Sequence, residues 1–149
     1  MPPVVAPPLR IYTLALGVAW IVDVVYGLPI ADGRWRLVLG SLLIVVGFGV
    51  VGWAFRTLSN VGTTGDPYGM ATKLVVHGPF AYSRNPIYVA MTAIYLGASI
   101  AGNTWWPMAL LPAIIVTMHC GVIHREEQRL EGQFGVRYRA YQTAVRRWL

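Results

Sequence analysis

Two adjacent acids, Glu126 and Glu127, lie just beyond the last long apolar stretch of the chain. Carboxylates at such a boundary can accept hydrogen bonds from hydroxyl groups or pair with a cationic group. Neighbouring helix positions point about 100° apart, so the two acids cannot face one ligand in the same way. We expect one to address a ligand while the other pairs with Arg129 or Arg84. The plainer interpretation is a solvated charge cluster.

A second polar group lies in residues 77–88, which read HGPFAYSRNPIY. A residue before proline is pushed away from helical geometry, whereas proline itself suits the first helical turn. Asn85-Pro86 therefore predicts the start of a helix. Arg84 and Asn85 would lie where free amides and positive potential favour an anionic group. The alternative is an ordinary helix start that carries one basic residue.

These groups must be positioned by membrane helices, because 56% of the residues are hydrophobic and only 12% are charged. Such a chain has too little polar side chain to coat a water-soluble globule. Hydrocarbon leaves no partner for free backbone groups, so helices are expected rather than open strands. The sequence predicts an all-α integral membrane bundle of about four helices. Its apolar stretches are residues 11–30, 37–55, 86–101 and 105–123.

The basic residues are distributed unevenly about these stretches. With both termini in the cytoplasm, only Arg34 and Arg36 lie outside. This is the positive-inside pattern, and it predicts that both termini and the polar site face the cytoplasm. It also accounts for the net charge of +6, so no nucleic acid partner is expected. The inside residues are Arg10, Arg56, Lys73, Arg84, Arg125, Arg129, Arg137, Arg139, Arg146 and Arg147.

The two inside segments differ from the short outside connections. Residues 56–85 form a connection of about thirty residues, rich in glycine and proline, which predicts ordered turns. The C-terminal segment has helical periodicity, and Gly135 after Phe134 predicts a break between two short helices. A basic tail on anionic headgroups is the alternative. We treat the chain as one domain, with a hairpin at 1–55 and a functional region at 56–149.

In order, these pieces resemble the isoprenylcysteine carboxyl methyltransferase and phospholipid methyltransferase superfamily of integral membrane methyltransferases. The resemblance covers about residues 62–149, more than half of the chain. Each piece alone is common, but the ordered set, divided by one hydrophobic hairpin, is specific. The pieces are Leu74-Val75, Gly78-Pro79-Phe80, Arg84-Asn85-Pro86-Ile87-Tyr88, Glu126-Glu127, Leu130, Phe134-Gly135, Tyr138, Tyr141 and Arg147-Trp148.

The resemblance implies a pocket for S-adenosylmethionine, with S-adenosylhomocysteine as the product. It places Glu127, Arg84 and Asn85 in catalytic positions. Asn85 stands where many relatives carry histidine. Metal ligands are not implied. The implied cofactor-binding residues are His77, Gly78, Pro79, Tyr82, Arg84, Asn85, Tyr88, Glu126 and Glu127.

The chemistry of the implied cofactor suits these residue types. Glu126 or Glu127 can accept from the ribose or the ammonium, and Arg84 can hold the carboxylate. Tyr82 or Tyr88 can face the sulfonium.

The implied acceptor is a lipid-like or prenylated molecule that reaches the site from the surrounding membrane lipids, with carboxyl or O-methylation favoured. N-methylation of a phospholipid is an alternative, and so is a small four-helix transporter, because Asp23 places an acid inside helix one. We expect Asp23 to bond within the bundle, for example to Ser41, or to be protonated. His119 is expected to be a packing residue. Nothing in the sequence specifies an oligomer.

Overall fold

The computed structural model describes residues 7–63 and 72–149, and every regular element within them is helical. The predicted all-α class is confirmed. Residues 64–71 of the predicted connection lie outside the described residues. A 3₁₀ turn at Gly78–Ala81 precedes the third helix, and a π turn at His119–Ile123 follows the fourth. The helices are α1 (Pro8–Val25), α2 (Trp35–Val61), α3 (Pro86–Ala101), α4 (Trp106–Met118), α5 (His124–Phe134) and α6 (Val136–Ala144).

Three helical stretches are long and apolar enough to cross a bilayer, namely Pro8–Val25, Trp35–Val61 and Trp106–Phe134. The third apolar stretch, α3, has 16 residues and is shorter. Large apolar side chains point outward from the bundle, for example Val24, which is 88% exposed. Such surfaces are costly in water and are expected in lipid. The chain is therefore an integral membrane helical bundle, as predicted.

Two predicted boundaries are wrong. α2 continues past residue 55 to Val61, so Arg56 belongs to a helix and not to the connection that follows. At 1.5 Å per residue its 27 residues span about 40 Å, which exceeds a hydrocarbon core of about 30 Å. The helical stretch that begins with α4 likewise continues through the π turn and α5 to Phe134. In both cases the helix continues beyond the change from apolar to polar residues.

α2 and α3 pack along a seam of small residues. Gly40, Gly47 and Ala54 are buried and recur every seven residues on α2. Ala90 and Gly97 are buried on α3. A Cβ atom added to Gly40 would lie 2.6 Å from the backbone oxygen of Gly97, which is closer than real atoms approach. The seam therefore depends on the missing side chains, as in many membrane helix pairs.

Asp23 connects α1 to the turn between α3 and α4 by a hydrogen bond. Its Oδ1 accepts hydrogen bonds from Thr104 Oγ1 at 2.7 Å and from Leu28 N at 3.2 Å. The prediction that Asp23 bonds to Ser41 is wrong, because α1 packs on α4 and α3 whereas Ser41 lies exposed on α2. Asp23 thus has a structural role that accounts for an acid in α1, the feature that had suggested a transporter.

The C-terminal segment folds back onto the start of α3. Gly135, with φ of +53°, separates α5 from α6, so the predicted break after Phe134 is confirmed. After α6 the chain continues to the entrance of α3, where Arg84 N donates to Arg146 O at 2.9 Å. Segments that lie far apart in sequence therefore meet at one end of the bundle.

The glycine seam predicts opposite effects of alanine at two glycines of α2. Gly40→Ala should lower the free energy of unfolding in detergent by about 1–3 kcal/mol, because its methyl group meets the α3 backbone. Gly49→Ala is the matched control, since nothing lies within 4 Å of its added Cβ atom. It should be neutral or stabilising by up to about 1 kcal/mol. Equal thermal unfolding midpoints for the two variants would contradict close packing at the seam.

Candidate functional site

A cavity of about 520 Å³ lies at the end of the bundle where α3 begins. This volume is within the range of roughly 300–1,000 Å³ that is usual for small-molecule sites. Parts of every helix except α4 contribute to the wall, together with the connection before α3. The cavity is thus built where the segments that are distant in sequence converge.

One end of the cavity is polar and the other is apolar. The polar wall combines charged groups with aromatic hydroxyls near the start of α3. The apolar wall is formed by α2 and by the first half of α3. The main polar lining residues are Lys73, Arg84, Asn85, Tyr88, Glu126 and Arg129. The apolar side includes Phe48, Val51, Phe55, Ile87, Met91 and Ile94.

Glu126 is the carboxylate that lines the cavity among the described residues. Tyr88 OH donates a hydrogen bond to Glu126 Oε2 at 2.8 Å. This bond links α3 to α5 and fixes the carboxylate in the wall. One carboxylate oxygen is thereby engaged, and a carboxylate has several acceptor positions, so acceptor capacity is left for a ligand.

Glu127 lies beside the cavity, buried between two arginines. Arg147 binds both of its oxygens, with Nη2 2.6 Å from Oε2 and Nε 3.0 Å from Oε1. Arg84 Nη1 approaches Oε1 at 3.1 Å. The hydrogen bond to Glu127 is the main cause that raises the pKa of Arg147 above its usual value. Arg147 therefore stays charged at neutral pH, and two arginines share one buried carboxylate.

Arg84 keeps donors that are not used. Its side chain is 11% exposed and lines the cavity. Although Nη1 is within ion-pair distance of Glu127, its geometry does not meet that of a hydrogen bond, and Nε is buried without a hydrogen-bond partner. The distance is short, but hydrogen bonds weaken steeply off axis, so this contact is an ion pair without a hydrogen bond. Buried unpaired donors are uncommon and suit a site for an anionic group.

The turn that carries Arg84 is held by the C-terminal segment. Ser83 Oγ and Asn85 Nδ2 both donate to the backbone oxygen of Arg147, at 3.2 and 3.0 Å. Asn85 N donates in turn to Ser83 Oγ at 3.1 Å. Asn85 has φ of −128° and ψ of 55°, outside the helical region, as its position before Pro86 predicted.

Tyr138 and Tyr141 from α6 form a buried aromatic wall. Their ring centroids are 6.1 Å apart, and Tyr141 OH donates to Phe80 O at 2.6 Å. Burial raises the pKa of Tyr138 to about 12 and raises that of Tyr141 as well. Both hydroxyls are therefore protonated at neutral pH and act as neutral donors or acceptors.

The comparison with protein families identifies the family of this chain. A model of the phospholipid methyltransferase family matches residues 35–137, from the start of α2 into α6. This chain belongs to the phospholipid methyltransferase family. No curated protein and no solved structure matches it significantly. The resemblance seen in the sequence is confirmed, and the chain is a membrane methyltransferase.

In this phospholipid methyltransferase family member, four of the predicted site residues line the cavity. They are Arg84, Asn85, Tyr88 and Glu126. Glu127, which the sequence favoured as catalytic, touches Arg84 and Arg147 and is not part of the lining. Glu126 thus lines the cavity, and Glu127 is the acid that pairs with Arg84.

The remaining predicted residues lie away from the cavity lining. Tyr82 is 71% exposed and lies near the ring of Trp53, with centroids 6.4 Å apart. His77 is exposed before the 3₁₀ turn, and Pro79 is buried within that turn. Gly78, with φ of +63°, packs against Thr57, where a Cβ atom would lie 2.9 Å from Oγ1. This glycine shapes the turn, and its contact is with α2 and not with the cavity.

Arg147 is the polar residue of this site whose role the sequence reasoning missed. It was counted as a motif residue and an inside charge, but its side chain binds Glu127 and its Nη1 lies 3.1 Å from His119 Nε2. His119, expected to be a packing residue, contacts this guanidinium. The available signal in the sequence was the pair Arg146-Arg147 near the C-terminus, whose charge is opposite to that of Glu126-Glu127.

Removing the charge of Glu127 should destabilise the fold. Glu127→Gln leaves two arginines close together without their anion, and breaking a buried ion pair costs about 3–5 kcal/mol. Arg147 is partly exposed, so we expect a loss of about 3 kcal/mol in the free energy of unfolding. Glu131→Gln breaks an exposed pair with Arg139 at 3.6 Å and should cost about 0.5 kcal/mol or less. Denaturant titration in detergent compares the two, and equal losses would contradict the arrangement.

Proposed function

We propose that this chain is an S-adenosylmethionine-dependent methyltransferase that methylates a lipid-like acceptor, preferentially on a carboxylate or other oxygen. The observation that carries the proposal is one cavity with a charged end and an apolar end in a member of the phospholipid methyltransferase family. When bound, the cofactor supplies an electrophilic methyl group to a nucleophilic atom and is left as S-adenosylhomocysteine.

The residues at the polar end fit this cofactor. Arg84 has buried donors available for its carboxylate, and Glu126 has acceptor capacity for a ribose hydroxyl or the ammonium. The aromatic faces of Tyr88 and Tyr138 in the wall suit a sulfonium cation. Because Glu126 and not Glu127 lines the cavity, we assign cofactor binding to Glu126 and a supporting role to Glu127.

The apolar end suits the chain of a lipid. α1 and α2, both fully described, have hardly any contact with each other, because α1 packs on α4 and α3 while α2 packs on α3. The cavity lies over α3 between the first turn of α1, with Leu9, and the apolar side chains of α2. From Pro86 to Ile94 the axis of α3 rises about 12 Å, so the cavity extends well into the membrane region. A lipid can therefore reach it by lateral diffusion.

The charges of the cavity favour an anionic acceptor. In the part of the chain that the structure describes, Lys73, Arg84 and Arg129 line it against one carboxylate, Glu126. A carboxylate acceptor would be attracted and has no proton to lose before methylation. The second candidate is an amine of a phospholipid, which the family match favours. Here Glu126 would take the amine proton.

We also propose that the site faces the cytoplasm. The ten predicted inside residues compare with two outside, Arg34 and Arg36. Arg34 and Arg36 lie at the start of α2, whereas the cavity lies towards the other end of that helix. The positive-inside rule then orients the cavity inward.

Binding of S-adenosylhomocysteine tests the cofactor assignment. Isothermal titration of the detergent-purified parent chain should give a measurable dissociation constant. Arg84→Ala should raise the dissociation constant by about ten- to a hundredfold, the usual effect of losing one charge-assisted hydrogen-bonding group. Arg56→Ala removes an exposed charge on α2 and should leave it unchanged. Absence of binding by the parent, or equal binding by Arg84→Ala, would contradict the assignment.

The stability of the product towards base separates the two acceptor classes. The chain should transfer a radiolabelled methyl group from S-adenosylmethionine into a total lipid extract, and mild alkali should release the label as methanol, because carboxyl methyl esters hydrolyse. Label that survives alkali would contradict carboxyl methylation. If that label co-migrates with methylated amino-phospholipid, the second candidate is correct. Arg84→Ala provides the background.

A further inference from the structure

The last residues of the chain return to the polar end of the cavity, and Arg147 is their main contact. Trp148 packs against the core cluster of the bundle and anchors the segment. Arg147 then reaches Glu127 on α5 and His119 in the π turn. The family match ends at residue 137, before this segment begins.

Arg147 and Arg84 share Glu127 unequally. Arg147 uses the guanidinium fork, with Nη2 and Nε on different carboxylate oxygens at 2.6 and 3.0 Å. This bidentate geometry is the strong form of an arginine–carboxylate pair. Arg84 reaches one oxygen at 3.1 Å and leaves Nε and Nη1 without hydrogen bonds. Glu127 is thus satisfied mainly by Arg147.

The charge balance has a direct consequence for Arg84. Among the described residues, one carboxylate between two guanidinium groups leaves one positive charge without an ion-pair partner. Without Arg147, Glu127 would be buried with Arg84 as its nearest cation, and burial of an unpaired charge is costly. Arg84 would then turn its fork towards Glu127. The donors that are now without hydrogen bonds would be used up.

We propose that Arg147 is a positioning residue that neutralises Glu127 and thereby leaves Arg84 free to hold the carboxylate of the cofactor. This inference rests on the proposed function. The backbone of Arg147 acts in the same direction, because its oxygen accepts from Ser83 and Asn85 on either side of Arg84. The side chain of Arg147 thus neutralises Glu127, and its backbone oxygen holds the turn that carries Arg84.

Two ligands separate positioning from general structural support. S-adenosylhomocysteine carries the amino-acid carboxylate, and 5′-methylthioadenosine lacks it. In the full-length chain, Arg147→Gln should weaken binding of S-adenosylhomocysteine by about tenfold or more and change binding of 5′-methylthioadenosine by less than about twofold. Arg146→Gln is the matched control, because its side chain is exposed and its backbone bond to Arg84 is kept. It should bind both ligands like the parent.

Each other outcome overturns the inference. Equal weakening for both ligands shows that Arg147 supports the fold only, and no weakening shows that Arg84 does not depend on it. If the parent chain fails to bind S-adenosylhomocysteine, the proposed function fails and this inference fails with it. If Arg147→Gln does not fold, Arg147→Lys keeps the charge without the fork and should still weaken S-adenosylhomocysteine selectively, by about threefold or more. If Arg147→Lys binds the two ligands with the same ratio of dissociation constants as the parent, the inference is wrong.

Discussion

A buried carboxylate must be paired, and in this chain the pairing of Glu127 holds the site together. An unpaired ion costs several kcal/mol to bury, so its partners have to arrive with it. Arg84 comes from the turn before α3 and Arg147 from beyond α6. The long connection and the C-terminal segment are thereby drawn to the same end of α5. The cavity wall is assembled by this charge requirement as much as by apolar packing.

The size of side chains along α2 and α3 determines where the cavity can exist. Where Gly40 faces Gly97, the two backbones are in contact and no space remains. At Gly47 the facing residue on α3 is the larger Ile94, which also lines the cavity. Lipid cannot supply a hydrophobic force between helices, so close fit along small residues has to hold the pair. The close contact between Gly40 and Gly97 thus holds α2 and α3 together beside the cavity.

Local features of the sequence predicted the fold well, and long-range features did not. The apolar stretches, the helix start at Pro86 and the break at Gly135 depend on neighbouring residues, and all were found. The meeting of Arg84 with an acid of α5 was also predicted. The choice between Glu126 and Glu127 was not, because a π turn before α5 changes the phase of every later side chain. The role of Arg147 depends on the return of the C-terminal segment, which no local pattern records.

The shortness of α3 bears on how a lipid headgroup reaches the chemistry. Its 16 residues measure about 24 Å, several ångströms less than the hydrocarbon thickness of an ordinary bilayer. Lipids accommodate a short span by thinning around it. Thinning of this kind would bring the leaflet surface towards the first turn of α3, where the charged wall of the cavity begins. For the proposed lipid-like acceptor, this would let the headgroup reach the charged wall while the tails stay in the hydrocarbon, so membrane thickness would affect turnover.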